Sequence, residues 1–152
     1  MTEAETMKWN DDHVLGYAPM DDIHEEFLDL IEQLQSAPDH CLPERLERMQ
    51  AHLVAHFDQE NTWMEETAFP PRDCHIKEHE AVLKSVAEVR VLLAQGNTTV
   101  CRELARALAD WFPGHATHLD SALAHWMCKK RLDGRPLVFR HMQRRVPGQA
   151  CP

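Results

Sequence analysis

The chain has 152 residues, enough for one domain with its own core, and its 43% hydrophobic and 27% charged content reads as globular rather than disordered. A net charge of −9 argues against nucleic acid as the main partner. Nothing approaches the ~18 uninterrupted apolar residues of a membrane span, and the acidic opening MTEAETMKW lacks the apolar stretch of a secretory signal.

Residues 1–18 read as an N-terminal arm, punctuated by Gly16, with Trp9 and Tyr17 available to pack it down. A first helix is expected from about Pro19 to Ser36, its apolar stripe formed by Ile23, Phe27, Leu30, Ile31 and Leu34. Ala37-Pro38-Asp39 ends it. A second helix begins near Pro43. Its inward positions are Leu42, Leu46, Met49, Leu53, His56, Glu60 and Met64, and the phase does not break at the histidine or the acid.

Phe69-Pro70-Pro71 makes a loop, and Asp73 is the expected N-cap of a third helix. Its stripe, His75, His79, Val82, Val86, Val89 and Leu93, again carries two histidines in the core phase. Gln95-Gly96-Asn97 closes it. A fourth helix opens at Thr98 or Thr99, places Val100, Leu104, Leu108, Trp111 and His115 on one face, and continues to about Leu132. The expected architecture is all-α: an antiparallel up-down four-helix bundle over residues 19–133. Residues 134–152 form a basic C-terminal tail. Seven Lys/Arg against one Asp between residues 129 and 145 make this region the positive pole of an acidic protein; it is expected to be simply solvated, the alternative being contact with RNA, a membrane surface or a partner protein.

Five cysteines (Cys41, Cys74, Cys101, Cys128 and Cys151) are irregularly spaced and form no CxxC, which fits a reduced, cytoplasmic setting. Histidine is the outlier of the composition, at 11. His56/Glu60 and His75/His79 are both i, i+4 pairs, so each pair projects from one face. The second helix runs into the 69–71 loop and the third leaves it, so the two pairs meet at the same end of the bundle. His24, early in the first helix, and His115, late in the fourth, reach that end as well.

A buried ionised glutamate among unpaired imidazoles is costly, and a divalent metal removes the penalty by taking up the lone pairs. Imidazole and carboxylate without thiolate favour a first-row transition metal over a structural cysteine-type zinc. Two carboxylates can bridge two cations. The second carboxylate, Asp120, stands five residues after His115, about 140° away on an ideal helix. The apolar phase slips at the same place, from 104, 108, 111 and 115 to Leu123 and Met127. One extra residue reconciles both slips, so a π-bulge or local break is expected between 115 and 120, near Pro113-Gly114.

His24, then HFDQE (His56, Glu60), HIKEH (His75, His79) and HATHLD (His115, Asp120) resemble the full ligand set of the hemerythrin family. The opening MKWNDDHVLGYAPMDDIHEEF is similar to the start of its single-domain bacterial members, and the resemblance spans about residues 7–132. It implies a non-haem centre of two iron ions bridged by Glu60, Asp120 and an oxo or hydroxo group. His75, His79 and His115 would hold one iron, and His24 and His56 the other.

The implied function is reversible dioxygen binding for carriage, storage or sensing, rather than catalysis. The alternative is an enzyme that reduces or detoxifies nitric oxide or peroxide. A third reading makes the chain a regulatory module acting through its basic tail. The expected small-molecule partner is dioxygen, with nitric oxide second, in a monomer or weak homo-oligomer. Trp111, Phe112 and Ala116 are the expected lining of the oxygen pocket. Ala116 departs from the bulky aliphatic residue common in the family, which should widen the pocket and admit water. His52 is expected at the surface or behind the ligands, His13, His40, His125 and His141 in solvent, and Cys74 partly buried and inert.

Overall fold

The structure, a computed structural model, describes residues 8–132, with side chains to Lys130. The expected basic tail at 134–152, His141, Cys151 and the first seven residues of the arm lie outside the described residues. Four helices pack around a common core: α1 (Ala18–Ser36), α2 (Leu42–Glu66), α3 (Arg72–Ala94) and a fourth formed by α4 (Thr98–His115) and α5 (Ser121–Leu132). A π-helical turn, Ala116–Asp120, joins α4 to α5 without a break. Each helix packs on the next, and α4 closes the ring against α1. The short connections make neighbours antiparallel. The described residues contain no strand.

Local chemistry sets most of the boundaries. Pro19 and Pro43 sit in the first turns of α1 and α2, where the missing N–H costs nothing. Gly96, at φ +94°, ends α3 in a Schellman motif: its N–H reaches the Leu93 carbonyl at 2.9 Å, and the Asn97 N–H reaches Leu92 at 3.0 Å. The Asn97 side chain then accepts the Val100 N–H at 3.0 Å and starts α4. The stop after α2 has the same shape without a glycine. Ala68 takes φ +54°, and the Phe69 N–H returns to the Met64 carbonyl at 2.8 Å. Phe69, just past this turn, is buried in the core. Asp73 is not the N-cap of α3. Arg72 is already helical, no side chain caps that end, and Asp73 lies in the first turn, where its charge favours the helix dipole.

The buried face of α1 is rotated slightly from the expected stripe. Met20, His24, Phe27, Leu28, Ile31 and Leu34 are buried, whereas Ile23 and Leu30 are half-buried. The core forms two apolar clusters. The larger runs through Phe27, Leu34, Leu46, Leu53, Val86 and Leu108. The smaller gathers Tyr17, Met20, Trp63, Phe69, Leu123 and Met127 beside the α2–α3 loop. A polar layer lies between the two. Burial of each large apolar side chain contributes roughly 1.5–3 kcal/mol, so the polar layer interrupts the strongest stabilising force in the fold.

Candidate metal centre

Seven polar or charged side chains are buried among the described residues, and they are the seven ligand candidates: His24, His56, Glu60, His75, His79, His115 and Asp120, none more than 3% exposed. His24 lies one turn into α1, and His56 and Glu60 face inward from the lower half of α2. His75 and His79 sit in the first two turns of α3, across the loop from α2. The fourth helix supplies His115 and Asp120 from the two ends of its π turn. That turn absorbs the one-residue slip, so Nε2 of His115 lies 3.1 Å from Asp120 Oδ1 despite the five-residue separation.

The donor atoms fall into two groups. Glu60 Oε1 lies 3.1 Å from His79 Nε2 and 3.5 Å from His75 Nε2, and Asp120 Oδ1 lies 2.9 Å from His75 Nε2. With His115 these make one five-residue cluster of metal-binding geometry. The other oxygens face the other way. Glu60 Oε2 is 2.8 Å from His56 Nε2 and 3.4 Å from His24 Nε2, and Asp120 Oδ2 is 3.0 Å from His24 Nε2. His24, His56 and Glu60 form the second cluster. Each carboxylate thus turns one oxygen toward the group of His75, His79 and His115 and the other toward the group of His24 and His56.

Many of these close contacts are not hydrogen bonds. His24 Nε2, His79 Nε2, Glu60 Oε1 and both oxygens of Asp120 are buried and lack an aligned partner. They converge on the space between them rather than on one another. Orphaned polar atoms in a dry interior cost roughly 1–3 kcal/mol each, and a cation at the point of convergence satisfies several at once. The donor set fits a metal centre on this ground.

Charge inside the cluster is balanced by protons. Burial opposes a charge on His24 and His75, but the close carboxylates of Asp120 and Glu60 outweigh it and raise both pKa values to about 9. For His56 burial wins and lowers the value to about 4. Burial also lowers His79. Glu60 and Asp120 stay ionised well below the ordinary carboxylate range, because the surrounding histidines outweigh their burial. Two imidazoliums therefore face two carboxylates, with protons where cations would sit.

The rings are held differently on the two sides. Phe57 stacks on His79 with centroids 4.0 Å apart, and Trp111 tilts over His115 at 4.3 Å. His79 Nδ1 bonds Asn61 Oδ1 at 2.9 Å, and His115 Nδ1 bonds Glu78 Oε1 at 2.8 Å. The two-imidazole side has an aromatic wall instead. Phe112 sets its edge to His24 at 5.0 Å, and Phe27 sets its own to His56 at 5.8 Å. Ala116 is half-buried against the larger apolar cluster.

Asn61 and Glu78 carry no signal in the sequence pattern, because each sits on the flank of a face whose centre is a neighbouring residue. His52 lies behind His56, its ring stacked on Phe27 and its Nδ1 3.6 Å from Glu26. His118, His125 and His40 are exposed, and His13 is half-buried and accepts the Asn10 N–H. Cys74 is exposed, not partly buried, because it precedes His75 on the outward side of α3. None of the described helices is long and apolar enough to cross a membrane.

Comparison with known proteins gives the same picture. Residues 15–126 match the family model described as the hemerythrin HHE cation binding domain. A bacteriohemerythrin of Ralstonia nicotianae is 33% identical over 129 residues, 85% of this chain and 94% of the relative. Bacteriohemerythrins of Pseudomonas paraeruginosa and Stenotrophomonas maltophilia are 29% and 28% identical, over 74% and 76% of this chain and 76% and 78% of their own lengths. A matched segment that contains all seven buried donors, together with a relative aligned over nearly its whole length, places this chain in the hemerythrin family.

Proposed function

We propose that the protein binds dioxygen reversibly at a pair of iron ions, His75, His79 and His115 holding one, His24 and His56 the other, with Glu60, Asp120 and a hydroxo or oxo group bridging. The observation that carries this reading is the division of both carboxylates. Each presents one oxygen to the three-imidazole group and one to the two-imidazole group. A single-ion site would need only one oxygen of each. Two ferrous ions supply the electrons with which such a centre takes up dioxygen and returns it.

The chain's own residues orient, exclude and neutralise. Five imidazoles direct Nε2 inward and share two acids, which limits the negative charge offered to the metals and favours carriage over oxidation. The lower donor count on the His24–His56 side leaves room there for a small ligand. Phe112 against His24 and Phe27 against His56 form the apolar lining of that side, while Trp111 covers His115 on the other. The two apolar clusters keep bulk water from both ends of the layer. Among the described residues no buried acid or histidine other than the donors themselves stands ready as a general base.

Anaerobic reconstitution with ferrous iron tests the reading. It expects two iron ions per chain and a visible charge-transfer band that appears in air and fades under argon. One iron per chain, or an irreversible band, overturns it. Steady consumption of nitric oxide or peroxide would assign the site to detoxification instead.

A further inference from the structure

All five histidines of the cluster turn Nε2 inward, so each has an Nδ1 facing away. Those of His24, His56 and His75 are buried without a hydrogen-bond partner. Those of His79 and His115 are bonded, to Asn61 at 2.9 Å and Glu78 at 2.8 Å. Both bonded rings belong to the three-imidazole group. The same oxygen of Glu78 also accepts the Trp111 Nε1–H at 2.8 Å. One carboxylate of α3 therefore holds two positions, one turn apart, on the stretch of α4 that leads into the π turn and Asp120.

A carboxylate accepts hydrogen bonds and gives none. Its partner nitrogen must therefore carry the proton, which leaves the lone pair of His115 on Nε2, pointing at the cluster. Rings tied this way are fixed in tautomer and orientation before any metal arrives. Rings without an outer partner have neither constraint.

We infer that Glu78 is a positioning residue. It fixes the Nδ1–H tautomer of His115 and the turn that carries Asp120, while Asn61 Oδ1 holds the outer nitrogen of His79. The three-imidazole half consequently takes the first metal ion and keeps it longest. The loading order rests on the two-ion reading above; the hold on His115 does not.

The test is an anaerobic titration of the metal-free chain with Co²⁺ alone, followed by visible absorption and by proton magnetic resonance of the exchangeable imidazole N–H signals. The wild type is expected to bind cobalt in two steps, the first tighter, with two protected, cobalt-shifted N–H signals from His79 and His115. Glu78→Ala should weaken the first step about 10–100-fold and erase the His115 signal, with far-ultraviolet circular dichroism unchanged. Glu78→Gln, whose amide oxygen still accepts the N–H, should restore the signal and part of the affinity.

An unchanged first step in Glu78→Ala with the His115 signal intact overturns the inference. If the alanine variant does not fold, Glu78→Gln decides alone: a retained signal with a weakened first step supports it, and an unchanged first step overturns it. A wild type that binds two cobalt ions with equal affinity overturns the loading order. A wild type that binds at most one sinks the two-ion reading and the order with it, while the His115 signal still decides the role of Glu78.

Discussion

Leu46, Met49 and Leu53 of α2 meet Ile31, Leu34 and Phe27 of α1 in a cluster of side chains with no exposed surface. One turn further along the same two helices, His24 meets His56 and Glu60, equally buried. The first region is held by apolar burial and needs nothing beyond the chain. The second is neutral in the metal-free chain only because protons on His24 and His75 offset Glu60 and Asp120. One region of the molecule makes the fold, and the other is kept for a ligand at the expense of packing.

Removing a shared acid breaks this contrast most severely. Glu60→Ala or Asp120→Ala should lose both metal ions and, by leaving buried imidazoles uncompensated, about 3–5 kcal/mol of stability. Metal content and thermal melting check this. Leu46→Ala, at the apolar end, should cost about 2–5 kcal/mol yet keep the full metal content of the folded fraction. Metal loss in that variant would mean that the two regions are not independent.

Acidity separates the regions next, because the apolar end does not titrate. His24 and His75 are raised from 6.5 to about 9, so their contribution to metal-free stability is complete below pH 6.5 and disappears as pH rises through 9. Glu60 and Asp120 are depressed, so theirs is present above their ordinary values of 4.5 and 3.8 and is lost as pH falls below them. His56 and His79 are lowered by burial, so stability also falls as pH drops below their ordinary 6.5, and chemical unfolding of the metal-free protein should show greatest stability between about pH 6.5 and 7. Metal uptake at pH 7 should release about two protons per chain, measurable by calorimetry in buffers of different ionisation enthalpy.

The smallest effects concern the border between the regions. Ala116→Ile should slow decay of the oxygenated protein several-fold by closing space beside His115, and an unchanged rate rejects that role for position 116. His52→Ala should keep both metal ions and cost roughly 1–2 kcal/mol, since only its stacking on Phe27 and its contact with Glu26 are removed. Iron analysis that finds one ion missing would move His52 into the centre.

The four helices and the polar layer were legible because both follow the helical period. His56, Glu60, His75 and His79 stand where leucine would stand, and burial found them there. The π turn was legible from a conflict of phases, since one additional residue was needed for both the apolar stripe and Asp120. The α1 face was read with less accuracy. Leu28 and Met20 are buried while Ile23 and Leu30 are not fully so, because a stripe fixes a helix face only to within a fraction of a turn.

The helical period thus sufficed for the bundle, for the inward phase of His56, Glu60, His75 and His79 and for the irregular turn, because each depends on spacing along one chain segment. Which carboxylate oxygen faces which imidazoles, and that Asn61 and Glu78 hold the outer nitrogens of His79 and His115, emerged from the packing of the helices. The same packing put Cys74 in solvent and His52 in a stack. Such pairings depend on rotamers and on how neighbouring helices sit against one another, and the period of a single helix contains neither.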